Sequence, residues 1–113
     1  MEKYVEERPW GSFEQFCKNE KCTVKIISVK PNSELSLQYH NHRSEFWRVL
    51  SGNPRIVIGD KRVVAEEGDE FFIPEKTLHQ IATQESAAKI MEISFGEFDE
   101  SDIVRIKDRY GRS

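Results

Sequence analysis

The sequence lacks the features that would place a protein in a membrane or on nucleic acid. Nowhere in its 113 residues do 18 apolar residues follow one another, so no transmembrane helix is predicted. The first eight residues contain no apolar run resembling a signal peptide, and we therefore expect a cytoplasmic protein. A basic excess is also absent, because 17 Lys and Arg oppose 20 Asp and Glu, and this argues against a nucleic-acid partner.

Cysteine is scarce. Cys17 and Cys22 are the two cysteines of the chain, and their spacing is wrong for a C-x-x-C metal knuckle. They enclose a polar stretch that is typical of a hairpin loop, where two thiols could face each other across the strands. A disulfide is therefore geometrically feasible, although reduced thiols are the usual state in the cytosol.

Internal repeats, low-complexity tracts and Pro/Gly/Ser-rich linkers are absent too, which favours one domain over residues 1–113. Between residues 12 and 95, short runs of Val, Ile and Phe alternate with turn signals such as Lys30-Pro31-Asn32. This rhythm is typical of an all-β sandwich or barrel. The predicted strands lie near residues 12–17, 22–29, 35–42, 45–50, 54–58, 62–65, 70–73, 78–83 and 88–95.

The C-terminal segment differs in character from the rest of the chain. Residues 99–109 are dense in charge, and Ile103, Val104 and Ile106 are their only apolar side chains. The pattern allows a short helix or an irregular arm and does not choose between them.

Two of the three histidines, His40 and His42, lie two residues apart in one predicted strand. A lone histidine in a strand is more often structural than a ligand, but this sequence uses all three of its histidines together. In the predicted strand 35–42, alternation of side chains places Gln38, His40 and His42 on one face. Two imidazoles and an amide oxygen therefore line up.

A carboxylate and the third histidine complete the group. Arg43 and Ser44 form a two-residue link that can reverse the chain and bring Glu45 beside the first two histidines. His79 follows another predicted strand where it enters a turn. Imidazole and carboxylate donors suit Zn, Fe, Mn, Ni or Co. We therefore expect one divalent metal ion, zinc first, with His40, His42, Glu45 and His79 as its ligands.

The spacing resembles the two motifs of the cupin family. The first motif is glycine, five residues, H-x-H, a short gap, glutamate, six residues and glycine, and it is matched by His40, His42, Glu45 and Gly52. The second is glycine, five residues, Pro-x-Gly, two residues, His, three residues and Asn, and it is matched by Gly68, Pro74 and His79. Asn32 and Lys76 replace motif glycines, and Thr83 replaces the asparagine. The resemblance implies a jelly-roll barrel, the double-stranded β-helix of cupins.

Three further segments, residues 8–14, 35–47 and 102–112, resemble the type II mannose-6-phosphate isomerase domain. In many bacteria that domain is the C-terminal half of a bifunctional enzyme with mannose-1-phosphate guanylyltransferase activity. This sequence contains no Gly-rich nucleotide loop, so the resemblance implies the isomerase alone. The implied reaction converts mannose 6-phosphate to fructose 6-phosphate through an enediolate, and a homodimer is expected by analogy.

The reaction implies roles for further side chains. Glu45 is a candidate base if it is loosely ligated, and Glu14 and Glu92 are further candidates. Phosphate needs a cationic partner, preferably arginine, and a sugar needs hydrogen bonds and an aromatic wall. The candidates for binding the sugar phosphate are Arg8, Trp10, Gln38, Arg43, Arg105 and Arg112.

Three alternatives stay open at this point. The chain could be a cupin isomerase of glucose 6-phosphate or a sugar epimerase. It could also be a non-catalytic sugar-binding cupin that keeps its metal for structure. A metal dioxygenase shares the ligand types, but nothing else in the sequence favours it.

Overall fold

The computed structural model describes residues 1–107, and within that range it contains eleven β-strands and no helix. All nine predicted strands are present, with one more at each end of the described range, and the all-β prediction is confirmed. The strands are β1 (Tyr4–Arg8), β2 (Gly11–Gln15), β3 (Cys22–Val29), β4 (Leu37–Tyr39), β5 (Ser44–Ser51), β6 (Arg55–Ile58), β7 (Lys61–Val64), β8 (Glu70–Ile73), β9 (His79–Ala82), β10 (Ala88–Phe95) and β11 (Val104–Lys107).

Two antiparallel sheets form the body of the molecule. One has the strand order β3-β10-β5-β8, and the other has the order β11-β4-β9-β6-β7. Strands β1 and β2 form a separate hairpin. No helix long and apolar enough to cross a membrane occurs among residues 1–107.

Alternation along the strands fills the interior with apolar side chains. Trp47 and Val49 of β5 and Ile90 of β10 are buried in this core. The same face changes character toward the other end of these two strands, where the buried side chains are Glu45, Glu92 and Ser94. Because isolated buried carboxylates are costly, a polar pocket at one end of an apolar core marks the region to examine for function.

The charged C-terminal segment forms a strand along part of its length. Val104–Lys107 is β11, and it pairs with β4 so that Arg105 lies opposite Gln38. The helix considered for this segment is therefore wrong for these four residues. Residues 108 and 109 of the segment lie outside the described residues.

The strand predicted over residues 35–42 ends early, since β4 stops at Tyr39. Asp102 explains this end. Its carboxylate accepts hydrogen bonds from the backbone N–H groups of Asn41 and His42, each at 2.9 Å. These donors bond to a side chain instead of continuing a strand ladder, so side-chain alternation does not extend to His42.

The thiols of Cys17 and Cys22 lie 3.6 Å apart, within hydrogen-bond distance, and they do not form a disulfide. Cys17 follows β2 and Cys22 begins β3, but these two strands belong to different sheets and do not pair, so the predicted hairpin is wrong even though the two thiols lie close together. The two residues are partly buried, and both are free cysteines in this structure.

Gly52, directly after β5, gives a test of the fold that is independent of function. Its φ is +83°, and an added Cβ would lie 2.3 Å from the carbonyl oxygen of Ala87. We expect Gly52→Ala to lower the free energy of unfolding by about 3 kcal/mol or more, because strain and a backbone clash add.

Gly68 is the matched control, since its φ is +90° but an added Cβ meets nothing within 4 Å. Gly68→Ala should cost only about 1–2 kcal/mol. Equal losses in urea unfolding would contradict the assigned clash.

Candidate metal centre

Three metal-ligating side chains converge at the polar end of the core. His40 follows β4, Glu45 lies on β5, and His79 begins β9. All three are buried, at 2%, 1% and 3% exposure respectively. One potential ligand atom from each lies within 4.8 Å of the others. The two sheets therefore bring the imidazole of His79 together with His40 and Glu45, which precede it by more than 30 residues.

Backbone carbonyls fix the orientation of both imidazole rings. The Nδ1 atom of His40 lies 2.6 Å from the carbonyl oxygen of Asp102, and that of His79 lies 2.9 Å from the carbonyl oxygen of Thr77. A carbonyl only accepts, so both Nδ1 atoms must donate. Each neutral ring then presents the lone pair of Nε2, which is the arrangement usual for metal-binding histidines.

The Nε2 atoms point toward Glu45. His40 Nε2 is 3.4 Å from Glu45 Oε2, and His79 Nε2 is 3.8 Å from Glu45 Oε1. Burial lowers the pKa of both histidines below the ordinary value, which favours neutral rings near pH 7. His79 Nε2 is buried without a hydrogen-bond partner. A buried acceptor with no partner, beside a carboxylate, fits a metal ligand.

Two donors hold the Glu45 carboxylate. Trp47 Nε1 donates to Glu45 Oε1 at 3.0 Å, and Arg43 Nε donates to Glu45 Oε2 at 3.0 Å. Arg43 Nη2 also lies 3.1 Å from His40 Nε2. The carboxylate is thus fixed in place, and a buried cation lies next to it.

Gln38 lies beside this group. It is paired with His79 across strands β4 and β9. Its Oε1 accepts a hydrogen bond from the Ser36 hydroxyl at 2.6 Å. A side-chain amide oxygen has two lone pairs, so this bond leaves one for a further partner.

A cleft of about 430 Å³ adjoins the ligand group and is partly lined by Gln38 and Arg43. Glu92 also lines it, and the Ser94 hydroxyl donates to Glu92 Oε1 at 3.1 Å. Burial, and after it the charge of Glu45, raise the pKa of Glu92 to about 7. The cleft therefore contains a carboxyl group able to take or give a proton near neutral pH.

Cationic side chains complete the cleft. Lys25 of β3 and Arg105 of β11 enter its lining from the two different sheets. Phe98 lies between two of the cations, 4.1 Å from Lys25 Nζ and 4.5 Å from Arg43 Cζ, measured to the ring centre. The carboxylate-bearing residues Glu92 and Glu100 line the same cleft, so the three cations are available to an anionic ligand beside two acidic side chains.

Comparison with known proteins identifies the family. Residues 2–108 match the family model described as mannose-6-phosphate isomerase C-terminal. The chain belongs to this family. Alginate biosynthesis protein AlgA of Pseudomonas aeruginosa is 38% identical over 108 residues, which cover 94% of this chain and 22% of that protein. Mannose-1-phosphate guanylyltransferase 2 of Escherichia coli O157:H7 is 38% identical over 105 residues, with 91% and 22% covered. The chain spans about a fifth of the length of these relatives.

Solved structures agree on the fold. Oxalate decarboxylase from Bacillus subtilis superposes with a TM-score of 0.70 at 22% identity, over 77% of this chain and 24% of that one. This likeness shows the architecture alone, and it confirms the predicted cupin jelly roll. Together with the family match, it makes the chain a cupin domain related to sugar-phosphate isomerases.

The structure shifts the cupin motif by two residues. With Gln38 and His40 as the H-x-H pair, the gap before Glu45 becomes four residues, and Asn32 stands five residues before the pair. Asn32 and Lys76 both replace motif glycines, and both have positive φ, +53° and +63°. The backbone keeps the left-handed conformation that glycine favours at these two positions.

His42 does not lie with the other predicted ligands. It is exposed, and it follows the end of β4 described above. Within residues 1–107, the group that could hold a metal comprises His40, Glu45 and His79.

Three predicted site residues lie on the β1–β2 hairpin. Arg8 pairs with Glu6 and is exposed, and Trp10, in the turn, is 72% exposed. Glu14 bonds to Lys3 and Arg48. None of these three lines the cleft. Arg112 lies outside the described residues.

Sequence reasoning missed Lys25, Phe98 and Asp102. A signal for Lys25 existed, because alternation along β3 places it on the same face as Ile27 and Val29. The exposed Val24 and Ile26 obscured that pattern, since both faces of the strand carry apolar residues. Phe98 and Asp102 lie between strands, where no periodicity reports position.

Proposed function

We propose that the chain is a metal-dependent aldose–ketose isomerase that interconverts mannose 6-phosphate and fructose 6-phosphate. One observation carries the proposal: buried Glu92 shares a cleft with cationic side chains, and that cleft adjoins a histidine–glutamate group suited to a metal ion. The reaction needs carbonyl polarisation, a base that moves a proton between neighbouring carbons, and a cation for the phosphate. This region of the molecule contains candidates for all three.

His40, Glu45 and His79 would hold the ion, with Gln38 as a fourth donor. A divalent ion, zinc first and iron, manganese, nickel or cobalt as alternatives, would polarise the substrate carbonyl and stabilise negative charge on its oxygen. The histidines are suited to this role because burial favours their neutral form. His42 is left out of the proposed ligand set, since it is exposed.

Glu92 is the proposed base. It takes the proton from C2 of the aldose and returns it to C1, while the hydroxyl proton on the C2 oxygen moves to the C1 oxygen, so that the atoms balance. Glu45 is less suited to this task because Trp47 and Arg43 already engage its two oxygens. Glu14 is not proposed, since it bonds to Lys3 and Arg48 away from the cleft.

Lys25 and Arg105 are the proposed partners of the substrate phosphate. They line the same cleft as Glu92, and a guanidinium matches two phosphate oxygens at once. Arg8 and Trp10 are not proposed for the sugar phosphate, because they lie on the β1–β2 hairpin and do not line the cleft. Arg112 and the homodimer stay predictions from the resemblance.

The test is an isomerase assay of the purified chain with mannose 6-phosphate and glucose 6-phosphate, before and after chelation. We expect turnover of the mannose ester, its loss with chelator, and its return when a divalent metal is added back. Preferential turnover of glucose 6-phosphate would contradict the proposal that mannose 6-phosphate is the substrate. Metal-bound protein with no turnover of any hexose phosphate would favour the non-catalytic sugar-binding alternative.

A further inference from the structure

We propose that the Arg43 guanidinium competes with the metal ion for its ligands. It must leave the ligand group before the ion can bind. This inference rests on the metal site of the proposed function and not on the reaction. Arg43 directly precedes β5, and the residue is buried at 8% exposure. A buried arginine is unusual unless it is paired, so its partners tell what it does.

The partners of Arg43 are two of the three candidate ligands. Its Nη2 lies 3.1 Å from His40 Nε2, and its Nε lies 3.0 Å from Glu45 Oε2. The imidazole Nε2 has a single lone pair, because Nδ1 already carries the proton given to the Asp102 carbonyl. That lone pair can accept from Arg43 or bind a metal, but it cannot do both.

The distance between the two ligand atoms leads to the same conclusion. His40 Nε2 and Glu45 Oε2 are 3.4 Å apart. An ion bound to both at ordinary distances of about 2.0–2.2 Å would lie in the region that the guanidinium now bridges. The two positive charges would also repel each other strongly in a buried site. Arg43 therefore has to leave at least His40 Nε2 when the ion binds.

Charge explains why the chain has an arginine here. Without an ion, Glu45 is a buried carboxylate at 1% exposure, and Arg43 neutralises it. The Phe98 ring lies over the guanidinium, 4.5 Å from Cζ to the ring centre, and covers the pair. The same contacts that stabilise the metal-free site lower its affinity for metal.

The test compares zinc affinity and thermal unfolding in the chelator-stripped protein, Arg43→Met, Arg43→Lys and Arg48→Met. Arg48→Met is the matched control, because Arg48 lies on β5 but bonds to Glu14 and Glu70 and not to the ligand group. Zinc binding is followed by competition with a chromophoric chelator. We expect Arg43→Met to bind zinc about tenfold more tightly or better and to melt at a lower temperature without metal, since charged hydrogen bonds to two ligands are lost.

Arg43→Lys keeps the charge but loses the planar fork, so it should fall between the parent and Arg43→Met. This variant carries the test if the methionine variant does not fold. Zinc affinity in the Arg43 variants equal to or weaker than that of the parent would overturn the competitor role while leaving the metal centre intact. Absence of zinc binding in every protein would overturn the metal centre itself, together with this inference. Arg48→Met should bind zinc as the parent does, and a matching gain there would also overturn the assignment.

Discussion

His79→Ala is expected to lower metal affinity by more than about 100-fold and to abolish the proposed isomerase activity. The substitution removes one of the three converging donors, and even residues that only orient a ligand typically contribute 10- to 100-fold. The fold should survive, because the β9 backbone keeps its pairing with β6 and β4. Metal content is measured on purified protein, activity with mannose 6-phosphate, and strand content by circular dichroism.

His42→Ala is the matched control for that experiment. It removes the same side chain from an exposed position outside the candidate group, so metal content and activity should stay within twofold of the parent. Metal loss in the His42 variant, or retention in the His79 variant, would refute the ligand set. The pair therefore tests the revised assignment directly.

The sequence contained enough to predict much of this site. Glu45 could be grouped with His40 because the two lie close in sequence, and His79 because its spacing resembles the second cupin motif; in the structure one potential ligand atom of each lies within 4.8 Å of the others. The nine predicted strands were accessible for the same reason, since apolar runs between turn signals report the strands that line a core.

His42 could not be placed from local pattern, because a residue far along the chain decides where β4 ends. Asp102 captures the N–H groups of Asn41 and His42, 61 and 60 residues away in sequence. Periodicity describes a strand only while its backbone stays extended. Periodicity does not report a hydrogen bond from a distant side chain to the backbone.

The hairpin shows a second limit of reasoning from sequence. Arg8, Trp10 and Glu14 entered the predicted site because their segment resembles the family, yet they lie on β1, β2 and their turn, outside the cleft lining. Resemblance reports that a segment is shared and says nothing of which function it serves. Strand β1 itself has little apolar periodicity, and its backbone pairing with β2 is what defines it.

Glu92→Gln is expected to lower kcat by about 10²–10⁴-fold while leaving metal content unchanged. The amide keeps the shape of the side chain and cannot take a proton. In the parent, kcat should rise with pH as Glu92 ionises, with a midpoint at or below about 7, because a bound cation favours the carboxylate. Activity is measured across pH at saturating mannose 6-phosphate. Full activity in Glu92→Gln would show that Glu92 is not the base.

Stability of the metal-free protein gives Glu92 a readout separate from catalysis. A folded-state pKa of about 7 against an ordinary 4.5 means that the folded chain holds the proton more tightly than the unfolded chain. This contribution to stability is fully present below about pH 4.5 and is lost as pH rises through about 7, for a total of about 3 kcal/mol. Glu92→Gln should remove that part of the pH dependence in urea unfolding with chelator present. Glu14→Gln, on the exposed hairpin, should keep it. If the parent and Glu92→Gln show the same pH dependence across this window, Glu92 ionises normally, and the carboxyl group then lacks the basicity that its proposed role requires.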